Sequence, residues 1–221
     1  MLNPTKRAFI FDLNGTMIDD MAFHIRAWHQ ILTTLGAELS MEQVKLECYG
    51  KNEELLERIF PGRFSNDQMQ EMILQKETAY QEVFRPHLKL IDGLDVFLQN
   101  CLHRNIAMGI GSAALPMNIN YVLDGLNIRN YFSAIVSAVD VQVSKPDPET
   151  FLSCAKKLEV APENCIVFED APKGVQAAEN AGMQSVVLTT MHPPEDFGNN
   201  QSILLFIPDY TSKELTNKLF H

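Results

Sequence analysis

From residue 106 onward the chain repeats one pattern, a short apolar run that stops abruptly beside a stretch with helical spacing. The runs are Ile106 to Gly111, Ala134 to Val136, Cys165 to Phe168, Ser185 to Leu188 and Ile203 to Ile207. Helical stretches near 93–104, 115–126, 148–158 and 172–181 lie between and beside them, and a last one is expected near 212–219. Such alternation predicts βαβ units and a parallel sheet. An earlier run, Phe9-Ile10-Phe11, reads as a further strand and breaks at Asp12-Leu13-Asn14-Gly15-Thr16. A strand that feeds a carboxylate into a glycine turn places it at the carboxyl edge of a sheet, where α/β proteins bind ligands. Asp12 is therefore the candidate nucleophile.

Between that first strand and the later alternation, residues 20–86 carry helical periodicity alone. Met21 to Leu35 stops at Gly36, a candidate C′ residue, and further helices are expected over Met41 to Cys48, Glu53 to Phe60 and Asp67 to Phe84. Pro61-Gly62 punctuates the block. The organisation expected is one α/β core made of 1–16 and 88–221, with an inserted helical domain over 17–87. Insertions of this kind serve as lids that exclude water.

Composition narrows the partners. With 221 residues, 46% hydrophobic and 21% charged, the chain can bury a sizeable core, and no apolar run approaches the ~20 residues of a membrane span. Lys6 and Arg7 directly before the first strand do not resemble a secretory signal, so a cytoplasmic address is expected. Cys48, Cys101, Cys154 and Cys165 lack C-x-x-C spacing and are expected to be reduced and mostly buried. A net charge of −10 disfavours nucleic acid and anionic membrane, because such binding needs clustered Lys and Arg. A monomer acting on a small molecule is the expectation.

Further candidates stand at the ends of the later runs. Ser112, with Ala113 beside it, can offer a hydroxyl and backbone N–H groups to a phosphate oxygen, although a strand-end serine is often a turn residue. Lys145 sits in Ser144-Lys145-Pro146-Asp147-Pro148, where the prolines restrict the backbone; such a lysine is commonly just solvated. Glu169-Asp170 places adjacent carboxylates after an apolar run, and their repulsion calls for a cation. A helix N-cap is the ordinary alternative for Asp170.

Taken in order, Asp12, Ser112, Lys145 and Glu169-Asp170 resemble the motifs of the haloacid dehalogenase superfamily. The segments Asp19, His24, Arg26-Ala27-Trp28 and Tyr49-Gly50-Lys51-Asn52 are similar to those of its β-phosphoglucomutase-like phosphatases. The resemblance covers nearly the whole chain. It implies a Rossmann-like parallel sheet with helices on both faces plus an inserted all-α helical cap domain. It implies a phosphatase acting on a small phosphorylated metabolite, plausibly a sugar phosphate, through an aspartyl phosphate. Mg²⁺ is implied, taken by Asp12, the Asn14 backbone carbonyl and Asp170, with Glu169 behind them or acting through water, and Lys145 balancing the acids.

Position 14 departs from that family's second aspartate. An amide can keep a backbone ligand but cannot accept or donate the proton. Losing acid–base help costs ~10²–10⁴-fold, which weakens an enzyme without abolishing one. A natural phosphatase tolerating the loss, a residue introduced to trap a complex, and a binding protein with little turnover all fit. Deamidation of the Asn14-Gly15 pair is a further hypothesis. In the cap, His24, Lys51, Asn52 and Lys76 are candidates for the rest of the substrate, with solvated or packed roles as alternatives. Lys51-Asn52-Glu53-Glu54 lacks the arginine of a mutase cap loop, which favours a phosphatase over a β-phosphoglucomutase-type phosphotransferase.

Overall fold

The computed structural model describes residues 7–220, so Lys6 and the rest of the N-terminal segment 1–6 lie outside the described residues. It separates into two compact units, one spanning Asp20–Leu88 and one formed by the residues before and after it.

The α/β unit is built on six parallel strands: β1 (Ala8–Phe11), β2 (Ala107–Gly111), β3 (Ala134–Val136), β4 (Cys165–Glu169), β5 (Gln184–Leu188) and β6 (Ile203–Ile207). Their order is β3-β2-β1-β4-β5-β6, the doubly wound arrangement in which strand order reverses beside β1. Five helices accompany them: α5 (Leu94–His103), α6 (Pro116–Gly125), α7 (Glu149–Leu158), α8 (Pro172–Asn180) and α9 (Lys213–Phe220). Ile106, expected in β2, stays outside it. Asn105 adopts φ 55° and the Ile106 N–H turns back to Cys101 O at 3.0 Å, closing the preceding helix.

Strand β1 is buried on both faces, as a central parallel strand must be. Successive side chains alternate sides. Ala8 and Ile10 join Val167, Phe151 and Cys154 in one apolar cluster. Phe9 and Phe11 enter an aromatic stack on the other side, with Phe11 4.7 Å from Phe168 and Phe9 5.9 Å from Phe97 between ring centroids. Each such burial is worth roughly 1.5–3 kcal/mol, so the strand that carries Asp12 is among the most firmly held.

The second unit is all helical: α1 (Met21–Thr34), α2 (Met41–Glu47), α3 (Asn52–Ile59) and α4 (Asn66–Phe84). Gly36, at φ 91°, follows α1 in the left-handed conformation that ends helices. Ser40 and Ser65 open α2 and α4 with reciprocal bonds to Gln43 and Gln68. The unit buries Ile25, Trp28 and Leu32 of α1 and Met69, Ile73, Tyr80 and Phe84 of α4. Among the described residues no helix is long and apolar enough to cross a membrane. The four cysteines are thiols, three of them buried and Cys48 half-buried, and burial pushes each up to about 12.

Candidate active site

Three strands end side by side. In the sheet register Phe11 lies opposite Ile110 of β2 and Phe168 of β4. The Asp12 N–H still donates to Phe168 O at 2.9 Å, and the Ser112 N–H to Val136 O at 3.0 Å. Asp12, Ser112 and Asp170 are therefore the first residues beyond β1, β2 and β4, at the crevice where strand order reverses. That is where open α/β sheets take ligands.

Lys145 reaches this crevice from the loop between β3 and α7. Glu149 Oε2 accepts the Gln142 and Val143 amides at 2.8 and 2.9 Å, and Asn180 Nδ2 donates to Pro146 O at 2.9 Å, so the loop is tied at both shoulders. Lys145 Nζ donates to Asp12 Oδ1 at 2.7 Å, to Glu169 Oε1 at 2.8 Å and to Gly111 O at 3.1 Å. Its ammonium also stands 4.5 Å from the centre of the Phe151 ring. The side chain is buried, which removes the solvated-turn alternative.

Glu169 is committed to protein donors. While Oε1 takes Lys145, Oε2 accepts the Asp170 and Ala171 amides at 2.8 Å each. A Cβ on Gly174 would stand 1.8 Å from Oε1, so only glycine there leaves room for this carboxylate. Asp170 is not the N-cap of α8, a position held by Ala171. It accepts the Thr16 hydroxyl at 3.2 Å instead. Its carboxylate rests against Gly15, where a Cβ would meet Oδ2 at 2.1 Å.

Charge is unbalanced in this pocket. Asp12, Glu169 and Asp170 are buried carboxylates, and the Lys145 ammonium pairs with the first two. Burial works against the charge on Lys145, but Asp12 and Glu169 outweigh it and hold its pKa above the ordinary value. Burial pushes Asp12 from 3.8 up to about 6; Lys145 opposes this, Glu169 adds to it, and the Ser112 hydroxyl bonded to Asp12 lowers it. Asp170 is held well above the carboxylate range by burial, then by the charges of Glu169 and Asp12.

Two carboxylates raised by burial and by the acids around them suit a hard divalent cation. Among the described residues no group of three or more His, Cys, Asp or Glu could hold a metal ion. Asn14, half-buried, lies in the adjoining loop, where it forms a bridge with Ile18.

The remaining sequence candidates lie in the helical unit. His24 and Lys76 meet each other: Lys76 Nζ is 2.7 Å from His24 Nδ1 and 3.0 Å from Glu77 Oε1. An ammonium can only donate, so Nδ1 accepts and the ring proton sits on Nε2, which faces Asp20 Oδ2 at 3.3 Å. Lys76 is 2% exposed and lies 5.3 Å from the centre of the Trp28 ring, which removes the solvated alternative. Asn52 Nδ2 donates to Glu77 Oε1 at 2.8 Å, while the Lys51 amide donates to Glu54 Oε2 at 3.1 Å at the start of α3.

Sequence reasoning assigned no role to Thr16, Phe151, Thr190 or Tyr210. Thr16 carried a signal by standing in the strand-turn motif. Phe151 looked like any core aromatic, and nothing local marked Thr190 or Tyr210, whose hydroxyls donate to Gly15 O at 2.6 Å and Thr16 O at 3.1 Å.

Comparison with known proteins places this geometry. The profile of the haloacid dehalogenase-like hydrolases matches residues 9–188. Fructose-1-phosphate phosphatase YqaB of Escherichia coli K12 is 30% identical over 177 residues, covering 80% of this chain and 93% of its own. β-Phosphoglucomutase of Bacillus subtilis 168 is 32% identical over 187 residues, covering 81% of this chain and 82% of its own. A solved β-phosphoglucomutase from Clostridium difficile superposes with a TM-score of 0.84 at 28% identity, covering 97% of both chains. With its strand-end carboxylates and its extended match to that profile, the chain belongs to the haloacid dehalogenase-like hydrolases.

Proposed function

We propose that the protein is a Mg²⁺-dependent phosphatase of a small phosphorylated carbohydrate. The observation that carries this reading is the pocket itself: a buried aspartate at the end of β1, held by a lysine, beside a second carboxylate left short of counter-charge. Names among its relatives support the substrate class, fructose 1-phosphate in one and hexitol phosphates in another.

Phosphoryl transfer asks the protein mainly for positioning and charge stabilisation. Asp12 attacks phosphorus; a bond forms from its carboxylate oxygen as the ester P–O bond breaks, and the departing oxygen takes a proton from water because Asn14 has none to give. Water then hydrolyses the aspartyl phosphate, returning the carboxylate and inorganic phosphate. Lys145 holds Asp12 in place and offsets charge on the transferring group. Ser112 and the Ala113 backbone are the candidates for a phosphate oxygen. Asp12, Asp170 and the Asn14 carbonyl would hold Mg²⁺, which when bound offsets the negative charge of the phosphoryl oxygens. Lys51 and Asn52 remain the candidates for the carbohydrate, since His24 and Lys76 are spent on each other. A mutase reading fits less well, because it needs proton transfer at both ends of its substrate.

The test is turnover of a panel of hexose, hexitol and pentose phosphates by the chain and by Asn14→Asp, each with Mg²⁺ and with EDTA. Phosphate release that needs Mg²⁺ and rises ~10²–10⁴-fold in the variant is expected. If neither protein releases phosphate while both bind the esters, the enzyme reading fails in favour of a binding protein.

A further inference from the structure

The loop that follows Asp12 is held from two remote places. Thr190, just beyond β5, donates its hydroxyl to Gly15 O at 2.6 Å, and Tyr210, beyond β6, donates its phenol to Thr16 O at 3.1 Å. Within the loop the Gly15 N–H donates to Ile18 O at 2.8 Å and the Met17 N–H to Leu13 O at 2.8 Å. A trans peptide points its N–H and C=O in opposite directions. The Gly15 N–H bond therefore aims the Asn14 carbonyl, the Thr190 bond sets the next peptide plane and the Tyr210 bond the one after it. Each plane that follows Asn14 has a fixed partner.

This wiring bears directly on Asp170. Gly15 lies so close to Asp170 that a single added carbon would overlap Oδ2, so a shift of Gly15 pushes on the carboxylate or opens a gap beside it. Thr16, whose carbonyl Tyr210 holds, is the residue whose hydroxyl meets Asp170 Oδ1. Tyr210 is itself anchored, since its N–H donates to Asp92 O at 3.0 Å and its ring packs 5.8 Å from Phe168 of β4. Thr190 follows a residue paired to β6, the Thr189 N–H donating to Ile207 O at 2.9 Å. Both clamps are thus fixed by partners outside the loop they hold.

We propose that Thr190 and Tyr210 are positioning residues of the cation pocket, holding the Gly15 and Thr16 carbonyls so that the Asn14 carbonyl and the Asp170 carboxylate face one ion. The role of both is to hold backbone carbonyls, not to ligate the ion or the substrate. The inference rests on the Mg²⁺ reading above. Groups that orient metal ligands from behind typically govern 10–100-fold in affinity.

The experiment measures Mg²⁺ dissociation constants of substrate-free wild type, Thr190→Val, Thr190→Ser and Tyr210→Phe, by competition with Mn²⁺ followed by electron paramagnetic resonance, alongside melting temperatures in EDTA. Expected is a 10–100-fold weaker Mg²⁺ affinity in Thr190→Val, a value near wild type in Thr190→Ser, and a weakening in Tyr210→Phe, where the ring and its packing stay. Wild-type affinity in Thr190→Val and Tyr210→Phe would overturn the proposal, even if their melting temperatures fall, because the clamps would then serve stability alone. If Thr190→Val fails to fold, Tyr210→Phe decides in the same way. A wild type that binds no Mg²⁺ overturns the cation reading itself, and the clamp proposal with it.

Discussion

Lys145 Nζ stands 2.7 Å from Asp12 Oδ1, although the two residues are 133 positions apart in the chain. The same ammonium serves Glu169 at 2.8 Å, so a single buried cation is divided between two carboxylates while Asp170 depends on the Thr16 hydroxyl.

The first concerns pH. Burial pushes the Asp12 carboxyl up to about 6, against 3.8 for an unperturbed aspartate. Between those values the folded state binds more protons than the unfolded one, so stability falls as pH rises. The favourable contribution is complete below the unfolded value and lost once pH passes the folded one. A divalent ion favours the ionised carboxylate, so the rise in melting temperature on adding Mg²⁺ should be small at pH 4.5 and large at pH 7.5. Scanning calorimetry with and without EDTA checks this; equal shifts at the two pH values would contradict it.

Gly174 provides a test with a reversed sign. Within a helix, Gly→Ala ordinarily stabilises by up to ~1 kcal/mol. At this position the new Cβ would stand 1.8 Å from Glu169 Oε1, displacing the carboxylate that accepts Lys145 and two backbone amides. Gly174→Ala should therefore destabilise by about 1–3 kcal/mol, the usual cost of overpacking. Urea denaturation measures it, and a variant as stable as wild type would show that Glu169 is not held as described.

The helical unit carries its own buried charge cluster. Lys76 meets Glu77 Oε1 at 3.0 Å and His24 Nδ1 at 2.7 Å, with both charged side chains nearly inaccessible. Removing one partner strands the other, which typically costs 3–5 kcal/mol. Lys76→Met should lose about that much, whereas Lys76→Met combined with Glu77→Gln should lose clearly less than the sum of the single changes. A double-mutant cycle by chemical denaturation provides the comparison. Additive losses would mean that the two side chains do not act as a pair.

Much of the architecture was legible in the residue order because its signals are local. Apolar runs of strand length, helical spacing and turn residues such as Gly36 act over a few residues, and they located the six strands and the helices to within about two positions. Even Ile106, expected in β2, fell outside for a local reason, the turn made by Asn105. The strand-end residues were legible too, because a parallel sheet brings its carboxyl ends to one edge. Asp12, Ser112 and Asp170 are candidates on that ground alone.

Partnership was not legible. By local pattern alone Lys145 and Lys76 read as solvated lysines; the folded chain buries both, Lys145 between Asp12 and Glu169 and Lys76 between Glu77 and His24. Glu169 and Asp170 are adjacent, yet one is consumed by Lys145 and two amides while the other rests against Gly15, a difference set by glycines at 15 and 174. Thr190 and Tyr210 find the loop after Asp12 across 175 and 194 residues. Local pattern determined the elements because secondary structure is a short-range equilibrium. Tertiary packing decided which polar groups meet, because an unpaired buried charge is costly and its partner can come from any segment the sheet brings near.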